Sequence, residues 1–372
     1  MSATKQGPLA GLKVLEFAGI GPAPFCGMLL SDLGADVLRI DRPGTQYDRF
    51  SIETRGRRSL VLDLKSAEDC ATALDLVAKA DALIEGFRPG VMERLGLGPD
   101  AALARNPKLV YGRMTGWGQT GPYAQRAGHD INFVSITGAL HAMGEPDKPA
   151  VPLNLVGDFG GGALYLAFGL LAALRHAERT GEGQVIDCAM SDGAAGLMAL
   201  LYGHLARGSW QDARGVNIID GGSHFYNVYR CADGQWLALG AIEPNFYATL
   251  VDKAGLDPAT FANQQSAEDW PALKARLAEV IATRTRAEWM TLLENVDACA
   301  TPVMSMTEAP HHPHNIARQS FVSVEGVMQP APAPRFSRTP GVIPSAPRQA
   351  GEGGESALAD WGVQPAGRAS RS

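Results

Sequence analysis

The feature that most constrains this chain is the alternation, from Lys13 to Arg113, of short strand-like runs with helical stretches and glycine punctuation. Lys13-Val-Leu-Glu-Phe-Ala18 reads as a strand, residues 24–33 as a short helix ended by Gly34, and Val37-Leu-Arg-Ile40 as the next strand. Residues 59–64, 82–87 and 109–113 extend the strand set. Ser66-Ala-Glu-Asp69 resembles a capping box that starts a helix running to Ala80. Strand signals separated by helical stretches require crossover connections, so the expected class is α/β with a parallel or mostly parallel sheet.

Composition sets the outer limits. A chain of 372 residues is long enough for two or three domains, at about 100–200 residues each. With 45% hydrophobic and 19% charged residues it can bury a sizeable core. The net charge of −6 excludes a bulk basic surface for nucleic acid or anionic membrane, while leaving room for a local basic pocket. Five cysteines (Cys26, Cys70, Cys188, Cys231 and Cys299) are scattered without paired spacing. That argues against a disulfide framework and a zinc site, and suits a reducing compartment. The N-terminus carries no apolar signal core, and the longest apolar run, 163–174, is shorter than a membrane span. The expectation is a cytoplasmic protein with neither nucleic acid nor membrane as a partner.

Beyond Thr115 the punctuation changes. Gly116-Trp-Gly-Gln-Thr-Gly-Pro122 reads as a loop, 131–143 has helical apolar spacing, and Gly157-Asp-Phe-Gly-Gly-Gly162 opens a long apolar helix to about Ala177. Residues 184–189 read as a strand and 191–207 as a helix. A second unit starts near Gly221, with a hairpin over 226–242 around Asp233-Gly234 and helices over 244–255, 270–283 and 286–295. Residues 302–347 read as an extended, Pro-rich return segment, and the last twenty residues as a weakly patterned tail expected to be partly disordered.

Several residues invite chemistry. Strand, Gly19-Ile-Gly21, helix and a strand ending at Asp41 approach a dinucleotide-binding layout. Pro24 stands where the third glycine belongs, which disfavours a nicotinamide cofactor. Arg42, Arg55, Arg57, Arg58, Lys65, Arg88 and Arg94 fall in loops or at element ends. They read as solvated surface or as partners for a ligand with several phosphates. Asp158 could be a plain helix cap and His129 a hydrogen-bonded core histidine. Together they place an acid and a base on two glycine-flanked turns at helix starts, a proton-transfer constellation. His311-His-Pro-His314 is a poor metal site, because Pro313 breaks helical spacing and no carboxylate or cysteine stands near it. No metal is expected.

The stretch Pro8-Leu-Ala-Gly-Leu-Lys-Val-Leu-Glu-Phe-Ala-Gly-Ile-Gly-Pro22 resembles the opening of the family III CoA-transferases (the CaiB/BaiF-like family). So do Asp32-Leu-Gly-Ala-Asp-Val-Leu-Arg-Ile-Asp41, Leu62-Asp-Leu-Lys65, Glu85-Gly-Phe-Arg-Pro-Gly90 and Glu93-Arg-Leu-Gly96. Met114-Thr-Gly-Trp-Gly-Gln-Thr-Gly-Pro122, Gly128-His-Asp-Ile-Asn132, Asn154-Leu-Val-Gly-Asp-Phe-Gly-Gly-Gly162 and Gly240-Ala-Ile-Glu-Pro244 bring the resemblance closest to the α-methylacyl-CoA racemases within that family. It covers the chain to about Arg338.

That resemblance implies a Rossmann-like large domain and a smaller α+β domain joined by two long linkers, so that two chains interlock as a homodimer. In this sequence the large domain would span 1–190, completed by 333–372, with linkers at 191–220 and 307–332 and the small domain at 221–306. It implies His129 and Asp158 as the proton-transfer pair and Glu243 as the group orienting the histidine. It also implies Arg42, Lys65 and Arg94 on the CoA nucleotide, Leu62 at the adenine pocket, and the Asp130 backbone as donor to the thioester oxygen. Phe133 stands where a tyrosine can occur, so any hydroxyl contact there is lost. The implied activity is racemisation of 2-methyl-branched acyl-CoA thioesters, with CoA as part of the substrate and no separate cofactor. Two alternatives stand beside it: a CoA-transferase in which Asp158 attacks the thioester, and an acyl-CoA-binding protein without turnover.

Overall fold

The computed structural model describes residues 6–364. By contacts the chain divides into two compact units. The first holds the chain through Thr137, then Leu153–Leu197, then Gln319 onward; the second holds Gly138–Pro152 and Met198–Arg318.

The first unit is built on β1 (Lys13–Phe17), β2 (Asp36–Asp41), β3 (Arg58–Val61), β4 (Ala82–Glu85) and β5 (Val110–Thr115). After a two-residue ladder in the second unit, β6 (Gly144–Glu145) with β7 (Lys148–Pro149), the chain returns to the sheet as β8 (Gln184–Ala189). The sheet order is β3-β2-β1-β4-β5-β8, parallel throughout, as the alternating sequence requires. Side chains alternate across it. Val14, Val37 and Val110 join the core on the side of helices α1 (Pro22–Asp32) and α7 (Tyr165–Thr180). Leu15, Phe17, Leu38 and Tyr111 join the core that includes α2 (Ala67–Val77), where Ser66 caps the helix by accepting from the Asp69 N–H. Strands covered on both faces read as near-continuous apolar runs, which is why they are visible in the sequence.

Local departures from expectation have local causes. The helical spacing over 131–143 is broken after Ser135, where α5 (Asp130–Ser135) ends, and Gly138, with a φ of 85°, is the N-cap of a second helix, α6 (Ala139–Ala142). Two short helices, α3 (Val91–Arg94) and α4 (Pro99–Arg105), stand where no helix was expected. The glycine-rich segment before α7 is itself helical: Leu155–Leu164 is a π-helix continuous with α7. Together they form the one helix among the described residues, Leu155–Thr180, long and apolar enough to cross a membrane, so the shorter run seen in sequence understates it. Its Leu166, Leu170, Ala173 and Leu174 are buried in the sheet's core.

The tail is also more ordered than its composition suggests. Residues 354–361 form a helix whose Ala357, Leu358 and Trp361 pack into the core, and Trp361 Nε1 donates to Asp36 Oδ2 at 2.8 Å. Residues 365–372 of the expected disordered tail lie outside the described residues. Ahead of that helix, Phe321–Val324 and Val327–Pro330 pair as an antiparallel hairpin inside the stretch expected to be an extended return segment.

In the second unit Tyr226–Arg230 and Trp236–Gly240 pair as the expected hairpin around Asp233-Gly234, and Ala300–Pro302 adds a third antiparallel strand. The helices Pro244–Lys253, Trp270–Ile281 and Arg286–Leu293 bury Leu250, Leu277, Ile281 and Trp289 against it.

Buried ion pairs lock the first unit. Glu16, in the middle of β1, is wholly buried, and Arg57 Nε donates to its Oε2 at 2.9 Å. Arg57 also donates to the carbonyls of Pro24 and Glu53. Arg55 pairs with Asp32 at 2.5 Å and reaches Gln329 Oε1 at 2.7 Å. Breaking a buried pair from one side costs about 3–5 kcal/mol, whereas replacing both partners by apolar groups is often near neutral. Arg57→Met is therefore expected to lower the urea midpoint sharply, and Glu16→Met/Arg57→Met to recover most of the loss. A double variant as unstable as Arg57→Met alone would show that the pair is not what holds this strand.

Candidate active site

Two large clefts border the parallel sheet. One, about 870 Å³, is lined by Leu12, Asp81 and Lys108, all just before strands, and so lies at the sheet's N-terminal edge. The other, about 790 Å³, is lined by Ile20–Ala23 after β1, Gly86–Pro89 after β4 and Thr115–Trp117 at the end of β5. It therefore sits at the C-terminal edge, where the strand order reverses between β1 and β4. Open parallel sheets bind ligands at that topological switch point. His129 and Asp158 both line this second cleft, and neither lines the first.

Each of the two is held by its own turn. His129 precedes α5 in extended conformation, exposed, with its N–H donating to Asn132 Oδ1 at 3.0 Å. Asp158 lies in the opening turn of the π-helix, half-buried. Burial first, then the neighbouring Asp130 carboxylate, push its pKa up to about 6, against a hydrogen bond from the Asn154 side chain and the charge of His129. A carboxyl group drawn to that range exchanges protons readily near neutral pH.

The glycines around the site act differently from the sequence expectation. Gly21 has φ 68°, and a Cβ there would stand 3.1 Å from Asp158 Oδ2. The glycine that a dinucleotide fold would use to approach pyrophosphate instead makes room for Asp158. Asp41, the acid of that reading, is wholly buried and accepts from Arg39 Nε (2.9 Å), Tyr47 Oη (2.8 Å) and Ser59 Oγ (2.5 Å), so it has no reach to a ribose. Gly161 abuts Gly193 in α8 (Met190–Leu197): a Cβ on Gly193 would stand 1.8 Å from the Gly161 carbonyl oxygen. These small residues let two helices cross closely.

The basic residues separate into two groups. Arg55, Arg57 and Arg58 are structural: the first two are buried in ion pairs, and Arg58 pairs with Asp36 at 2.7 Å and Asp360 at 2.6 Å. Arg42, Lys65, Arg88 and Arg94 are exposed on segments that leave the C-terminal ends of β2, β3 and β4. Arg88 alone of these lines the cleft. The segment after β4 is fixed by Arg113, which bridges Glu85 (2.8 Å) and Glu93 (2.7 Å). Leu62 is buried in the cluster with Leu38 and Ile40, and its N–H donates to the Asp41 carbonyl. Glu243 belongs to the second unit, exposed at the N-cap of Pro244–Lys253.

Three lining residues escaped sequence reasoning. Arg126 lines the cleft with its guanidinium 4.2 Å from the centre of the Tyr123 ring. Trp117 meets Tyr123 and Phe133 edge to face, and Asn154 bonds Asp158. Trp117 and Asn154 stood in motifs already singled out, but Arg126 carried no signal.

The sequence pattern of CoA-transferase family III matches residues 9–352. Alpha-methylacyl-CoA racemases are 46% identical to this chain: the mouse protein over 342 residues, covering 91% of this chain and 89% of that one, and the human protein over 358, covering 95% and 93%. A crystal structure of a CaiB/BaiF family protein from Brucella suis superimposes with a TM-score of 0.82 at 28% identity, covering 96% of this chain and all of the other. A doubly wound parallel sheet, a cleft at its switch point and a sequence that follows the family over residues 9–352 agree: the chain belongs to CoA-transferase family III.

Proposed function

We propose that this protein is an isomerase that interconverts the two configurations at the α-carbon of 2-methyl-branched acyl-CoA thioesters. The observation that carries this reading is the meeting of His129 and Asp158 in one cleft, supported by 46% identity to racemases. A thioester α-hydrogen is a weak acid, so its removal needs a stabilised enolate. Asp130 opens α5, and the first N–H groups of a helix have no intrahelical partner. Its N–H is the donor assigned to the thioester oxygen, an interaction of about 2.7–4 kcal/mol in comparable sites. Inversion then takes one group on each face of the planar enolate. His129 removes a proton from one configuration while protonated Asp158 supplies the other face; in reverse, ionised Asp158 removes it and His129 returns one. Each contributes roughly a hundred- to ten-thousand-fold. No cofactor other than the substrate's own CoA enters this scheme.

The deciding experiment incubates one 2-methylacyl-CoA epimer with the protein in D₂O. Deuterium uptake at the α-carbon with loss of configurational purity is expected, unchanged by EDTA. His129→Ala and Asp158→Ala are each expected to abolish it with little change in thermal stability. Acyl exchange onto free acids, retained in His129→Ala and lost in Asp158→Ala, would instead identify a transferase with Asp158 as nucleophile.

Arg42, Lys65 and Arg94 are assigned to the CoA nucleotide, which supports substrate and transition state equally. Arg94→Ala should therefore raise KM with little change in kcat. A large fall in kcat at unchanged KM would contradict that placement.

The large and small domains are proposed to interlock with those of a second chain through linkers at 191–220 and 307–332. In support, the apolar helix Ala199–Arg207 buries none of its residues, and Phe168 on α7 is 75% exposed; such faces call for a partner. In that dimer Glu243 of one chain orients His129 of the other, since a carboxylate beside imidazole raises its basicity and fixes its orientation. Co-expressed His129→Ala and Glu243→Ala chains would form a mixed dimer with one doubly lesioned site and one intact site, so about half of the native activity should return. A mixed dimer no better than the mean of the two mutant homodimers would place the site within one chain.

A further inference from the structure

The acid–base reading above uses only the backbone N–H of Asp130, yet its side chain is bound into the same site. Asp130 is 6% exposed, and its Oδ1 accepts from the Asp158 backbone N–H at 2.6 Å. A π-helix, closed by i→i+5 bonds, leaves the N–H groups of its opening turn without intrahelical partners. Asp158 lies in that turn, so Asp130 caps the π-helix from a different element. The space for it is built in: a Cβ on Gly157 would stand 2.5 Å from Asp130 Oδ1 and 3.0 Å from Val134 Cγ2. The second oxygen, Oδ2, is buried with no hydrogen-bond partner among the described residues. A buried charged oxygen left unpaired is costly, and such groups persist where they serve a site.

The groups that face Asp158 are few. From α5 comes Asp130, from its N-cap His129, and from the N-cap of the π-helix the uncharged Asn154 side chain. From the start of α1 comes the Gly21 backbone. Elsewhere the π-helix meets Pro22, Met190, Gly193 and Ala194, and Cys188 Sγ donates to the Gly162 carbonyl at 3.7 Å.

We propose that the Asp130 carboxylate is a positioning residue: it fixes the Asp158 turn against the helix start that carries His129, and it sets a negative charge beside the Asp158 carboxyl. A neighbouring anion disfavours ionisation, so Asp130 acts in the same direction as burial on Asp158. The proposal rests on the racemase reading for its catalytic meaning, and for the coupling on the hydrogen bond from the Asp158 N–H to Asp130 and on the Asp130 charge beside it.

Two variants test it. Asp130→Asn keeps an acceptor for the Asp158 N–H and removes the charge; Asp130→Ala removes both. The first readout is the pH titration of the ¹³C-labelled Asp158 carboxyl, assigned with Asp158→Asn; the second is the pH profile of α-deuterium exchange. In Asp130→Asn the Asp158 titration should move to lower pH, the acid limb of the exchange profile should follow it, and KM should stay within about twofold. In Asp130→Ala the carboxyl also loses its placement, and kcat should fall about 10- to 100-fold further. An Asp158 titration in Asp130→Asn that matches the native protein would overturn the coupling. So would an equal loss of kcat in both variants without movement along pH. If Asp130→Ala fails to fold, Asp130→Asn decides alone. The titration needs no turnover, so native protein that exchanges no α-hydrogen counts against the racemase reading and leaves this test standing.

Discussion

A carboxylate in the central strand of a parallel sheet, covered on both faces, is tolerable only when a counter-charge meets it there. Glu16 is such a group, and Arg57 answers it. The same guanidinium donates to the Pro24 carbonyl in the first turn of α1, while Arg55, two residues away, grips Asp32 at the other end of that helix. One short segment thus holds α1 at both ends. The helix begins at Pro22, directly after Gly21, and Gly21 forms the wall beside Asp158. The placement of the cleft wall therefore depends on a pair of charges that never meets solvent. Arg55 carries the arrangement further, since Gln329 and the Pro330 carbonyl complete its hydrogen bonds and bind the late hairpin to the unit.

The second constraint is the π-helix. A wider turn shifts the phase of the helix face and is favoured at functional sites. Here it places Asp158 toward the cleft while Gly161 packs against α8 and Leu166 and Leu170 turn to the sheet. An aspartate held half-buried, close to a second carboxyl, titrates far above an ordinary one. The local backbone, rather than any unusual residue type, gives the group its chemistry.

Much of this was legible from residue order. Strands buried on both faces leave apolar runs, so β1, β2, β4 and β5 could be located to within about two residues at each end. Ser66 and Asp233-Gly234 act through their own neighbours, and the cap and hairpin they predict are present. The basic segment from Arg55 to Arg58 misled because its partners lie far away in sequence: Glu16, Asp32, Asp36, Gln329 and Asp360. Charge density alone cannot distinguish an arginine awaiting phosphate from one already paired. The tail misled for a similar reason, because Trp361 finds its acceptor, Asp36, at the opposite end of the chain.

Periodicity, capping residues and turn residues are local properties, so the chain's order of residues determined the class, the succession of strands and helices, and the two turns that bear His129 and Asp158. What those turns do together was decided only in three dimensions. The crossover sequence places the ends of β1, β4 and β5 side by side at the switch point, and that juxtaposition creates the cleft. Desolvation, the proximity of Asp130 and the clearance at Gly21 are all sums over groups distant in sequence. No local pattern encodes such sums, because each depends on where the rest of the chain comes to lie.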